Sequence, residues 1–170
     1  MIKNSIRQIV LLSLMTGILL ISKGILSFLP NIELVTLLLI IYTLVFGVKV
    51  FYIIYAFVAV EVVIYGFGLW WVSYLYIWAI LALVTLLFRN NKSVFLWALI
   101  AGSYGLLFGA FCGIPYIFYG GISFYISYWI NGIPFDIIHC VSNFICVLTL
   151  FLPIKKTILI LNKRAEYKNY

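Results

Sequence analysis

The chain has 170 residues, of which 66% are hydrophobic and only 9% charged, with a mean hydropathy of +1.23 and a net charge of +7. A soluble domain runs nearer half apolar and a quarter charged, so there are too few polar side chains here to cover a water-facing surface. A spanning helix takes about 20 apolar residues, which allows roughly six spans and no sizeable domain outside the bilayer, and excludes a nucleotide-binding cassette or a zinc-finger array.

Charged, Pro, Gly and Asn positions divide the chain into six predicted spans. The first runs over 9–29 and stops at Pro30-Asn31; the second, 34–48, is short and ends at Gly47-Val48-Lys49, where glycine and a snorkelling lysine allow a tight turn. The third covers 50–67, with Gly66, Gly68, Trp70 and Trp71 marking its exit, and the fourth covers 72–88, before Arg89-Asn90-Asn91-Lys92. The fifth, 93–118, carries Pro115, and the sixth runs over 134–153, followed by a cytoplasmic tail at 154–170. The Gly- and aromatic-rich stretch 119–133 reads as an interfacial loop or a short helix in the headgroup region. A basic start followed by an apolar run resembles a signal peptide, but no small-x-small cleavage site follows, and the segment reads as a retained first helix. The expected fold is therefore an all-α membrane protein of six transmembrane helices with both termini in the cytoplasm.

Ten of the eleven basic residues support that orientation: Lys3, Arg7, Lys49, Arg89, Lys92, Lys155, Lys156, Lys163, Arg164 and Lys168 all fall on one side, which the positive-inside rule assigns to the cytoplasm. Lys23 alone lies in the outer half. Of the four acids, Glu166 joins the cytoplasmic set, whereas Glu33, Glu61 and Asp136 belong to the outer half. Split by face, the +7 becomes +9 inside (ten basic residues less Glu166) and −2 outside (Lys23 less three acids).

Ionisable groups at membrane depth are costly and mark candidate sites. Asp136, His139 and Asn143 follow i, i+3, i+7 spacing and share one face of the sixth span, and Glu61 and Tyr65 share a face of the third. With Glu33, Asn31 and the aromatics Trp70, Trp71 and Tyr74 nearby, they compose a small-molecule pocket opening outward, polar groups fixing orientation and rings supplying burial. Bland readings stand beside this one. Trp and Tyr gather at membrane interfaces, Glu33 could sit in water, Asp136 could serve the N-terminus of the sixth helix, and Glu61 could pair structurally with Lys23 or His139. Cys112, Cys140 and Cys146 read as small buried hydrophobes, and no metal-ligand spacing or cofactor motif occurs. Gly102, Gly105, Gly109 and Gly113 form a smooth stripe for close helix approach within the chain, and Ser13 and Gly17 form a second small-residue pair suited to internal packing or to docking another membrane subunit.

The layout, with Leu29-Pro30-Asn31-Ile32-Glu33-Leu34-Val35-Thr36 entering span two and Gly132-Ile133-Pro134-Phe135-Asp136-Ile137-Ile138-His139 opening span six, resembles the substrate-binding S components of energy-coupling factor (ECF) transporters. The resemblance implies a multi-pass protein of a prokaryotic cell membrane that is not an enzyme. It would capture a vitamin or related micronutrient and dock on a transmembrane coupling subunit energised by two cytoplasmic ATPases. That family usually docks through Ala-x-x-x-Ala, where this chain has Ser13 and Gly17. Two carboxylates in the pocket favour a neutral or cationic heterocycle over a polyanion. A membrane scaffold similar to the rod-shape-determining protein MreD, and an intramembrane enzyme centred on His139, are the alternatives.

Overall fold

In the computed structural model, which describes residues 2–166 and the side chains of 6–163, every regular element among the described residues is a helix. Helix α1 spans Ile2–Leu26, α2 Val35–Phe46, α3 Val50–Tyr65 and α4 Leu69–Leu87. A single 3-10 turn, Gly47–Lys49, joins α2 to α3. The last helical stretch breaks only at Gly121 (φ 79°, ψ −179°), a conformation that essentially only glycine adopts, giving α5 at 94–120 and α6 at 122–166. Residues 167–170, including Lys168 of the basic set, and the side chains of Lys3, Arg164 and Glu166 lie outside the described residues.

Each helix is apolar, and on every helix but α2 the buried positions form a stripe. On α3 these are Val50, Ile53, Ile54, Phe57, Val58 and Glu61, a repeat of three and four residues that continues without interruption into a carboxylate. On α6 the stripe is Asp136, His139, Asn143, Val147 and Phe151, polar toward the α5–α6 turn and apolar beyond it. Helix α2 is the hub, with ten of its twelve residues buried. Helix α1 is peripheral: among its described side chains only Leu11, Met15, Thr16 and Leu19 are buried. Large apolar side chains such as Ile9, Val10, Ile21, Val63 and Phe67 face outward, as lipid contact requires.

Helices α5 and α6 form an antiparallel hairpin along the glycine stripe. A Cβ built on Gly102 would meet Cys140 O at 3.3 Å, on Gly105 the His139 carbonyl carbon at 2.8 Å, and on Gly113 the Tyr125 ring at 2.8 Å. The stripe thus packs within the chain, against the next helix in sequence. Helix α4 is latched to α5 by Ser73 Oγ donating to Cys112 O (3.0 Å), Tyr76 OH to Phe111 O (2.6 Å) and Tyr104 OH to Ile77 O (3.0 Å).

The segment 119–133 corrects its expectation as a separate loop or surface helix. It is the tip of the hairpin, helical on both sides of Gly121, with Tyr116 stacked on Tyr128 at 4.5 Å. Pro134 therefore lies inside α6 rather than at its start, and the segment expected as a tail continues as helix to Glu166. Four stretches among the described residues, 6–26, 35–65, 69–87 and 94–163, are long and apolar enough to cross a membrane, which is compatible with a membrane-embedded protein. These four stretches hold six helices: α2 and α3, at about 18 and 24 Å each short of the roughly 30 Å hydrocarbon core, fall in one stretch, and so do α5 and α6, which run on without a polar interruption.

Candidate functional site

At one end of the bundle the C-terminal ends of α1 and α3 meet the N-terminal ends of α2 and α4. The turn from α1 to α2 supplies the roof. Leu29 N–H donates to Leu26 O, Asn31 takes a left-handed conformation (φ 58°) that asparagine tolerates, and its carbonyl accepts from Ser142 Oγ on α6 at 2.8 Å. Two adjoining cavities open beneath it, of about 280 and 350 Å³, both lined by Lys23, Ser27 and Tyr74.

The larger cavity is also walled by Tyr65 and Trp70. Lys23 Nζ donates to Glu61 Oε2, and Glu61 is 1% exposed while Lys23 is 27% exposed. Four rings surround the same ammonium, with centroids at 4.8 Å (Tyr74), 5.1 Å (Tyr65), 5.7 Å (Trp70) and 5.9 Å (Phe57). The buried carboxylate on α3 thus has the charge partner that burial demands, and Lys23, not His139, is that partner.

The smaller cavity is lined by Glu33, Asn31, Trp78, Phe108 and His139, among others. Glu33 does not sit free in water. One oxygen accepts from His139 Nε2 at 3.2 Å and the other from Thr36 N–H at 2.9 Å, which satisfies an open amide at the N-terminus of α2. Burial pushes the Glu33 carboxyl upward, but the hydrogen bond and charge of His139, with the Thr36 N–H, outweigh it and hold the group below its ordinary value. Phe108 packs edge-on against the His139 ring at 4.9 Å. His139 Nδ1 and Trp78 Nε1 are buried without a hydrogen-bond partner among the described residues.

The structure therefore gathers Glu61, Tyr65, Trp70, Tyr74, Glu33, Asn31 and His139 around one paired cavity. It does not bring Trp71, Asp136 or Asn143 to the cavity walls. Trp71 donates its indole N–H to Val58 O at 3.0 Å and lies tilted against Phe67, away from the rings around Lys23. Asp136 is buried between α5 and α6, one oxygen accepting from Gly109 N–H at 3.0 Å and the other without a partner among the described residues. It is not an N-cap, because α6 begins far upstream. Asn143 lies one turn below His139, fully buried, with both amide atoms unpartnered among the described residues. Lys23, Ser27, Phe57, Trp78 and Phe108 complete the site. Of these, Lys23 is legible in sequence as the one lysine apart from the basic set, and Trp78 as one of the aromatics gathered near the same polar residues; Ser27, Phe57 and Phe108 are ordinary members of apolar runs.

Ser13 is exposed on α1 and lines a groove of about 550 Å³ with Thr16, Lys49, Tyr52 and Ala56. Gly17, one turn along, has nothing within 4 Å of where a Cβ would stand. Comparison with known proteins returns no match among family models, curated proteins or solved structures.

Proposed function

We propose that the chain is the substrate-binding S component of an ECF-type micronutrient transporter, with six spans and both termini in the cytoplasm. One observation carries this reading: Lys23, Glu33, Glu61 and His139 and a wall of aromatics converge on a paired cavity at the end of the bundle opposite Lys49 and the Arg89–Lys92 turn. A pocket on the far side from a basic face is what uptake from outside requires, and a chain without a nucleotide-binding motif needs partners for energy. Glu33 and His139 would fix the edge of a ligand, Tyr65, Trp70 and Tyr74 would cover its faces, and the open Ser13–Gly17 face of α1 would receive the coupling subunit. A neutral or cationic heterocycle is the favoured cargo. In a prokaryotic cell membrane such a subunit works with a coupling protein and two ATPases.

The test is ligand-induced stabilisation of the purified full chain in detergent, read by thermal shift and tryptophan quenching across a panel of vitamins and their precursors. At least one compound is expected to stabilise the protein and to lose its effect in Glu33→Gln. No response from any member of the panel overturns the proposal.

A further inference from the structure

We infer that the aromatic cage around Lys23 is an organic-cation subsite, and that Lys23 occupies it as a resident stand-in which the ligand's own cation displaces. The inference rests on reading the paired cavity as a ligand pocket. Energetically significant cation–π contacts occur about once per 70–80 residues, yet four rings converge here on one nitrogen, at 4.8–5.9 Å. The rings come from two helices, Phe57 and Tyr65 on α3 and Trp70 and Tyr74 on α4, and the counter-charge, Glu61, completes the buried stripe of α3. Walls and carboxylate together form an ammonium site that does not depend on α1.

The guest comes from elsewhere. Lys23 enters from α1, the peripheral helix, near its end, and is the one partly exposed charge of the pair. Its long stem can carry the ammonium out toward the membrane surface once it leaves the cage. Exchange of one cation for another leaves Glu61 compensated throughout, whereas an anion would meet both the Glu61 carboxylate and the electron-rich ring faces. The larger cavity, about 350 Å³ and lined by Lys23 and three of the four rings, gives the incoming group its space. The ligand class is therefore a small molecule bearing a quaternary or protonated nitrogen with apolar substituents.

The experiment uses the full chain in detergent with tetramethylammonium chloride as probe, and tert-butanol and sodium acetate as neutral and anionic controls. Lys23 reactivity toward an amine-acylating reagent is read by peptide mass spectrometry. Tetramethylammonium is expected to raise Lys23 labelling about threefold or more, a cage-sized effect, while labelling of Lys49 and Lys92 and the response to the controls stay flat. Lys23→Met, which empties the cage, is expected to bind the probe about tenfold more tightly by tryptophan quenching, one cation–π increment. Should that variant fail to fold, the wild-type labelling decides alone. Unchanged or reduced Lys23 labelling with tetramethylammonium, or an effect of acetate in its place, overturns the inference. A micronutrient that stabilises the protein while tetramethylammonium does nothing would sink the cage assignment and leave the transport reading; the reverse pattern would sink the transport reading alone.

Discussion

Replacing Gly105 by alanine tests the α5–α6 seam most directly. The new Cβ would stand 2.8 Å from the carbonyl carbon of His139 and 2.9 Å from Cys140 N, against ordinary contact beginning at 3.4 Å. The obstacles are backbone atoms, so no rotamer change relieves them, and α6 must retreat by about half an ångström at the level of His139. Overpacking of this kind costs about 1–3 kcal/mol. Alanine inside a helix returns about 0.5–1 kcal/mol through chain entropy, leaving a net loss of about 0–2.5 kcal/mol. Gly17→Ala supplies the control, since nothing lies within 4 Å of its Cβ; it receives the same helical gain without the clash. Gly102→Ala, with its nearest obstacle at 3.3 Å, should fall between them. Thermal unfolding of the three variants in one detergent ranks them. A Gly105→Ala protein that melts at or above Gly17→Ala would refute the close approach of the two helices and, with it, the placement of His139 and Asp136.

Two further predictions concern charge. In a double-mutant cycle over Lys23→Gln and Glu61→Gln, each single change leaves one charge without its partner, so the double variant should be more stable than additivity predicts by about 0.5–3 kcal/mol; additive losses in thermal unfolding would show that the two do not interact. Glu33 has its carboxyl held below its ordinary value, so its stabilising contribution is fully present above the unfolded-state value and is lost as pH falls through the lower, folded-state one. The stability gap between wild type and Glu33→Gln should accordingly be constant near neutrality and close only below about pH 4, the ordinary glutamate range. A gap that already closes at pH 6 would refute the lowered Glu33 carboxyl.

Much of the fold was legible in sequence because lipid demands apolar helices and punctuates them with the few residues it excludes. Pro30-Asn31, Gly47, Gly66 and Arg89-Asn90-Asn91 all fall at helix ends, and three of these positions, Asn31, Gly47 and Gly66, take positive φ. The hairpin tip was not legible. Pro134 reads as a boundary and Pro115 as an interruption of the fifth span, yet the helices run past both, and the decisive residue is Gly121, whose conformation no side chain would share. Nor does composition show that α2 and α3 are each shorter than a bilayer is thick.

The sequence by itself determined which residues are expensive. In a chain with 9% charge, Lys23, Glu33, Glu61, Asp136 and His139 stand out because each must find a partner or water. Only the tertiary structure decided the pairing: Glu61 with Lys23, Glu33 with His139 and Thr36, and Asp136 with the amide of Gly109, away from the cavity. Periodicity places side chains on a face of one helix, but it carries no information about which faces meet, or at what height. That depends on how closely backbones approach along the glycines of α5 and on how α1 ends beside the rings of α3 and α4. Lys23, an outlier by composition, became the centre of the site through contacts 34 to 51 positions along the chain.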